Sequence, residues 1–129
     1  MKTTKNRPSK REIKVSKAAM RPFFLKNFDE GKELYLKAIE KYPQSGLIYY
    51  EFARMLLFFQ HTPAEALPNF IKAAELTPKA TYDFYAAKCL YYLKQYPEAM
   101  KYLEVAETKN DFPQMKDDIA ELGKLIQLG

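Results

Sequence analysis

The sequence predicts an all-α protein of about three repeated helix pairs closed by one further helix, and three observations carry that prediction. Apolar residues recur at helical spacing, 47% of the 129 residues are apolar and only 4 are glycine, a composition that favours packed helices over disorder. Related residues return at one interval: Pro43 and Pro78, Gly31 and Ala66, and Ala38 and Ala73 each lie 35 residues apart. Near the middle, Gly46 to Phe59 is apolar almost all round, as expected of a helix pressed by neighbours on both sides in a stacked array.

A chain of this length suits one compact domain with a core that needs no metal or disulfide. Cys89 is the sole cysteine, so an intramolecular bridge or multi-cysteine metal site is excluded, and a reducing, cytoplasmic location is expected. Arg54 and the Gln60-His61 pair bracket the most apolar stretch, which stays short of the roughly 18 to 20 residues that span a bilayer. The charged N-terminus lacks the continuous apolar segment of a secretory signal.

The net charge of +5 is unevenly distributed. Residues 1 to 21 carry Lys2, Lys5, Arg7, Lys10, Arg11, Lys14, Lys17 and Arg21 against Glu12, a net +7, while the remainder has 13 basic and 15 acidic residues, a net −2. Residues 1 to 11 are therefore expected to form a basic, flexible tail ahead of a repeat domain over 12 to 129. Such a tail is either a solvated chain end or an attachment to RNA or an acidic surface, with Lys2, Lys5, Arg7, Lys10, Arg11 and Lys14 as its electrostatic residues. Glu12 and the excess of lysine over arginine argue against a transit peptide.

Taken in order, the first helix is expected over Glu12 to Asn27, with Ile13, Val15, Ala19 and Phe23 on one face and a kink or early stop near Arg21 imposed by Pro22. Asn27 and Glu30 have the spacing of a capping box for a second helix reaching Lys41. A third helix covers Gly46 to Phe59. Thr62-Pro63-Ala64-Glu65 then reads as cap, first-turn proline and box partner of a fourth helix, which Pro68 should bend slightly. Helices near Ala80 to Leu93 and Pro97 to Lys109 repeat the pair, with a connecting turn one residue shorter. Ala99, Leu103 and Ala106 repeat the trio Ala66, Phe70 and Ala73. Beyond Asp111-Phe112-Pro113-Gln114, the stripe Met115, Ile119, Leu122 and Ile126 forms one amphipathic helix that covers the apolar end of the array.

The order of elements, with Tyr96-Pro97-Glu98-Ala99 and Ala66-x-x-x-Phe70-x-x-Ala73-x-x-x-x-Pro78, resembles the tetratricopeptide repeat, a helix pair of about 34 residues. Units at about 12 to 45, 46 to 79 and 80 to 110 are similar to three such repeats, and 111 to 128 to the solvating helix that closes such arrays. The resemblance implies a right-handed α-solenoid whose first helices line a concave groove. Counted from Ala53 and Ala87, Tyr50, Arg54 and Leu57 would face that groove in one unit and Phe84, Lys88 and Tyr91 in the next. Arg54 and Lys88, 34 residues apart, would then form a cationic ladder flanked by aromatics, able to hold a peptide carboxylate. The alternative is packing between units for the apolar four and simple solvation for the two cations. The asparagines of the carboxylate clamp used by some family members have no evident match.

Nothing announces a reaction. His61 lies in a turn without a carboxylate or serine motif, Cys89 sits among apolar neighbours, and no phosphate loop or metal spacing appears, so no enzyme, metal or cofactor is expected. The leading expectation is a protein-interaction adaptor or chaperone-like module gripping a partner segment, acidic or C-terminal, in the groove. The alternative is a structural subunit of a large assembly, including a ribonucleoprotein, anchored by the basic tail. A homodimer through exposed aromatics stays open.

Overall fold

The computed structural model describes residues 7–109 and 113–129, and among them the chain is helical throughout its regular structure. Seven α-helices follow one another: α1 (Lys10–Phe24), α2 (Phe28–Lys41), α3 (Gly46–Phe58), α4 (Pro63–Leu76), α5 (Ala80–Tyr92), α6 (Tyr96–Lys109) and α7 (Lys116–Leu128), the last entered through a 3-10 turn at Pro113–Met115. They pair as α1/α2, α3/α4 and α5/α6, with α7 against α6 and α5. Lys2, Lys5, Asp111 and Phe112 lie outside the described residues.

The second helix of each pair buries the same three positions. Gly31, Tyr35 and Ala38 in α2 correspond to Ala66, Phe70 and Ala73 in α4 and to Ala99, Leu103 and Ala106 in α6. Small residues at the outer two positions let the paired helix approach, and the larger middle one fills the space between. Gly31 stands where the other units have alanine because the Phe23 ring lies on it: a Cβ there would come within 2.5 Å of that ring. Tyr35, fully buried, keeps its hydroxyl satisfied by donating to the Ser16 carbonyl at 3.0 Å and bonding the Ser16 hydroxyl at 3.0 Å.

Several expected helix ends form differently. α1 begins at Lys10, inside the stretch expected as a tail, because Ser9 and Glu12 make a complete capping box. It also runs past Arg21 to Phe24: Pro22 falls in the last turn, where the amide it lacks costs only the bond to Ala18, and Pro22 and Phe23 are both buried. Asn27 does not cap α2. Its backbone amide already donates to the Pro22 carbonyl at 2.8 Å, and its side chain donates to Glu30. Thr62 likewise makes no side-chain cap; its hydroxyl donates back to the Leu56 carbonyl, while Glu65 accepts from Gln60 and pairs with Lys32.

The turn inside each pair uses one non-glycine residue in the left-handed region: Lys26 (φ 63°), His61 (φ 61°) and Lys94 (φ 63°). In the first and third turns an amide reaches back five residues, from Asn27 to Pro22 and from Gln95 to Leu90, closing a Schellman motif. In the middle turn Gln60 reaches back five residues to Met55, but the amide that follows the left-handed residue, from Thr62, reaches back six to Leu56, which absorbs the extra residue between Ala53 and Ala66.

Two apolar clusters meet at Leu67, Tyr85 and Tyr102, one drawn mainly from α1 to α4 and the other from α5 to α7. Cys89 is fully buried in the first, and burial pushes its thiol from 9.0 up to about 12, so it serves as a small apolar filler. Burial raises the Tyr82 phenol from 10.0 to about 12, and Tyr35 and Tyr50 move in the same direction for the same reason. A buried ion pair ties the third unit together: Asp83, 3% exposed, is met by the Lys109 ammonium from the end of α6.

Removing that ammonium strands a buried carboxylate. Lys109→Met should cost about 2 to 4 kcal/mol in urea unfolding, and the double variant with Asp83→Asn should recover most of it. A loss below about 1 kcal/mol would show that solvent reaches Asp83 instead.

The buried thiol and phenols make the fold sensitive to alkali. Each holds its proton more tightly folded than unfolded, so the stability it contributes is complete below the unfolded value, 9.0 for Cys89 and 10.0 for Tyr82, and is lost as pH rises toward about 12. Thermal melts should show a constant Tm up to about pH 9 and then a steep fall, with Cys89→Ala flattening its onset. A Tm that does not change up to about pH 11 contradicts this account.

Candidate functional site

α1, α3 and α5 share a face, and the rings on it join neighbouring helices directly. Tyr50 of α3 lies 4.5 Å from Tyr82 and 6.0 Å from Tyr85 of α5, Phe58 meets Tyr85 edge-on at 5.8 Å, and Phe24 of α1 approaches Phe59 to 5.1 Å. The expected groove residues divide on this face. Leu57 and Phe84 are each 5% exposed and belong to the two apolar clusters, so their side chains pack the units rather than present a surface. Tyr50 is half-buried in the ring contacts just described, and Tyr91 rests between Tyr92 and Tyr96.

The two cations do reach solvent. Arg54 is half-buried, its guanidinium 5.7 Å from the Tyr50 ring and hydrogen-bonded to Glu51 three residues earlier. Burial pulls its pKa down, but the Glu51 charge and hydrogen bond outweigh burial and the net shift is upward. Much of the Arg54 charge is therefore answered within its own helix. Lys88 differs: among the described residues it makes no ion pair, and its ammonium lies 5.8 to 6.0 Å from the rings of Phe58, Phe84 and Tyr85. A depression of about 160 Å³ opens beside it, walled by Tyr85 and by Asp118, Glu121 and Leu125 of α7.

Three aromatic residues that sequence reasoning passes over complete the face. Phe24, Phe58 and Tyr92 are 55%, 40% and 48% exposed and stand at the ends of α1, α3 and α5. Their signal is present in the sequence, since they recur at an interval of 34 residues, one position after Phe23, Leu57 and Tyr91.

Of the basic N-terminal residues, Arg7 is exposed just ahead of α1, and Lys10, Arg11 and Lys14 are exposed on the helix itself. His61 is an exposed turn residue. Among the described residues no group of three or more His, Cys, Asp or Glu could hold a metal ion, and no helix is long and apolar enough to cross a membrane.

A model of the tetratricopeptide repeat family matches residues 18–45 and 82–110. These stretches contain the two turns closed as Schellman motifs; the middle unit, with its extra residue, is not matched. No curated protein matches the chain. Among solved structures, the TPR2B domain of yeast Sti1, in complex with pHsp70, is similar with a TM-score of 0.78 at 19% identity, over 93% of this chain and 98% of that one. The Yersinia enterocolitica type III secretion chaperone SycD, in complex with a peptide of the translocator YopD, gives 0.77 at 13% identity, over 94% and 95%. Identities this low speak for the fold alone. Its first and third units thus carry stretches that match the tetratricopeptide repeat, and the whole array has the fold of such domains.

Proposed function

We propose that this protein is a non-enzymatic interaction module, an adaptor or chaperone-like subunit, that holds a segment of a partner protein against the face shared by α3 and α5. The observation that carries this reading is the arrangement around Lys88: an ammonium that makes no ion pair among the described residues, banked by rings and flanked by the exposed Phe58 and Tyr92. A carboxylate of the partner accepts a charge-assisted hydrogen bond from Lys88, worth about 1.5 to 3 kcal/mol in a partly desolvated site. Apolar side chains on either side of that carboxylate cover Phe58 and Tyr92. Arg54 contributes less, because Glu51 already occupies its guanidinium. The same fold in yeast Sti1 and in SycD was solved with partner segments bound, which agrees with this role.

The test begins with partners recovered by affinity purification from the native cell. The Arg54→Glu, Lys88→Glu double variant, its helicity unchanged by circular dichroism, should bind the recovered partner about tenfold or more weakly. Lys88→Glu alone should account for most of that loss and Phe58→Ala, Tyr92→Ala for a comparable one. Full binding by the folded double variant overturns the proposal.

A further inference from the structure

The array has a second surface of a different kind, on the outer side of α1. In a stacked array, each first helix turns one stripe toward the preceding pair. For α3 that stripe is Ile48, Phe52 and Met55, all at most 4% exposed, with Phe52 stacked on Tyr35 of α2 at 5.1 Å. For α5 it includes Ala86 and Cys89, fully buried in the cluster otherwise built from α1 to α4. The positions 34 residues before Ile48, Phe52 and Met55 are Lys14, Ala18 and Arg21. All three are exposed, and among the described residues no pair precedes α1.

Lys10 and Lys17 extend the stripe, giving cations at i, i+4, i+7 and i+11 along about 16 Å of one helix face. None of the four makes an ion pair among the described residues. Between Lys14, Lys17 and Arg21 the small Ala18 leaves a shallow depression of about 320 Å³. Solubility at the end of a stack requires only a polar face, and the other end shows what suffices: α7 mixes Lys116 and Lys124 with Asp117, Asp118 and Glu121 on its exposed side. A stripe of one sign on a rigid helix goes beyond that requirement.

We infer that the outer face of α1 is a docking surface for an acidic helix of a partner protein, which seats itself where a preceding unit's second helix would stack. The slot is shaped for a helix, since α2 fills it against α3 and α4 fills it against α5. Charge complementarity makes that helix acidic, and carboxylates at i, i+4, i+7 and i+11 run in step with the four cations. The depression at Ala18 admits one apolar side chain between them. No aromatic ring lies within the stripe, so it offers no platform on which the bases of a single-stranded nucleic acid would stack.

The experiment uses the full chain and a synthetic alanine-based helix of about 20 residues with four glutamates at that spacing. Its controls are a peptide of equal composition with the glutamates spread round the helix, a short RNA duplex, and vesicles containing phosphatidylserine. The striped peptide should bind, about fivefold or more tightly than the spread one, and weaken as salt rises. Lys14→Glu, Arg21→Glu should reduce its affinity about tenfold, with Lys14→Gln, Arg21→Gln intermediate. Ala18→Trp should weaken binding without altering charge, and Arg54→Glu, Lys88→Glu should leave it unchanged, which separates this surface from the face proposed above. Failure of the striped peptide to bind, equal binding of the spread peptide, tighter binding of RNA or vesicles, or undiminished binding by the folded Lys14→Glu, Arg21→Glu variant would each overturn the inference.

Discussion

One ring sets the relation between the middle and last units. Phe70, fully buried on α4, stands between Tyr50 of α3 at 5.9 Å and Tyr85 of α5 at 5.6 Å, nearly parallel to the latter. Through it the helix pair α3/α4 and the next first helix are held at one separation. Tyr85 in turn bears on Phe58 and Phe84, the rings that surround Lys88. Truncating Phe70 would leave a cavity that neither neighbour can close without moving a helix, so the geometry of the exposed face depends on a residue that no partner touches. Tyr35 has the corresponding position in α2 and works through Phe52, and Leu103 has it in α6.

Spacing alone makes the repeat legible, because small residues recur wherever second helices come close to their partners. What spacing does not convey is how each turn is closed. Lys26, His61 and Lys94 take a backbone conformation that ordinarily favours glycine, and nothing in their side chains announces it. The Schellman bonds decide the matter, and they also explain why Asn27 and Glu30 do not form a capping box: the Asn27 backbone amide, which would donate to Glu30, is committed to Pro22. By contrast, Ser9-Lys10-Arg11-Glu12 carries an ordinary capping-box signature in the sequence. The surrounding basic charge reads as a tail and masks that cap, which is why the expected start of α1 falls two residues late.

The candidate face is half legible for a similar reason. Helical spacing from Ala53 and Ala87 leads to the right side of α3 and α5, and it brings out Arg54 and Lys88. It cannot distinguish a ring that reaches solvent from one covered by the next unit, since both satisfy the same periodicity. Leu57 and Phe84 are covered, while Phe58 and Tyr92 are open. The difference arises from tertiary packing. The Glu51–Arg54 pair, three residues apart on one helix, is readable from the sequence and by itself ranks the two cations unequally.

The two proposed surfaces follow from one rule applied to different helices. A first helix in this array has a stripe facing the preceding pair and a stripe facing away from its own partner helix. In α3 and α5 the former is consumed by stacking, so only the latter can serve a ligand, and it carries one cation per helix. In α1 no described helix covers the stacking stripe, and there the cations multiply: Lys10, Lys14, Lys17 and Arg21 line up, whereas Met20, the residue in register with Arg54 and Lys88, is uncharged and half-buried. Positive charge in this protein is therefore spread over two register positions rather than gathered in a single site. An acidic segment lying along α3 and α5 would meet its cations singly, each set among rings that take up apolar side chains. One stacked on α1 would meet four in a row with little apolar surface between them, so its affinity would depend far more steeply on salt than binding at the α3/α5 face.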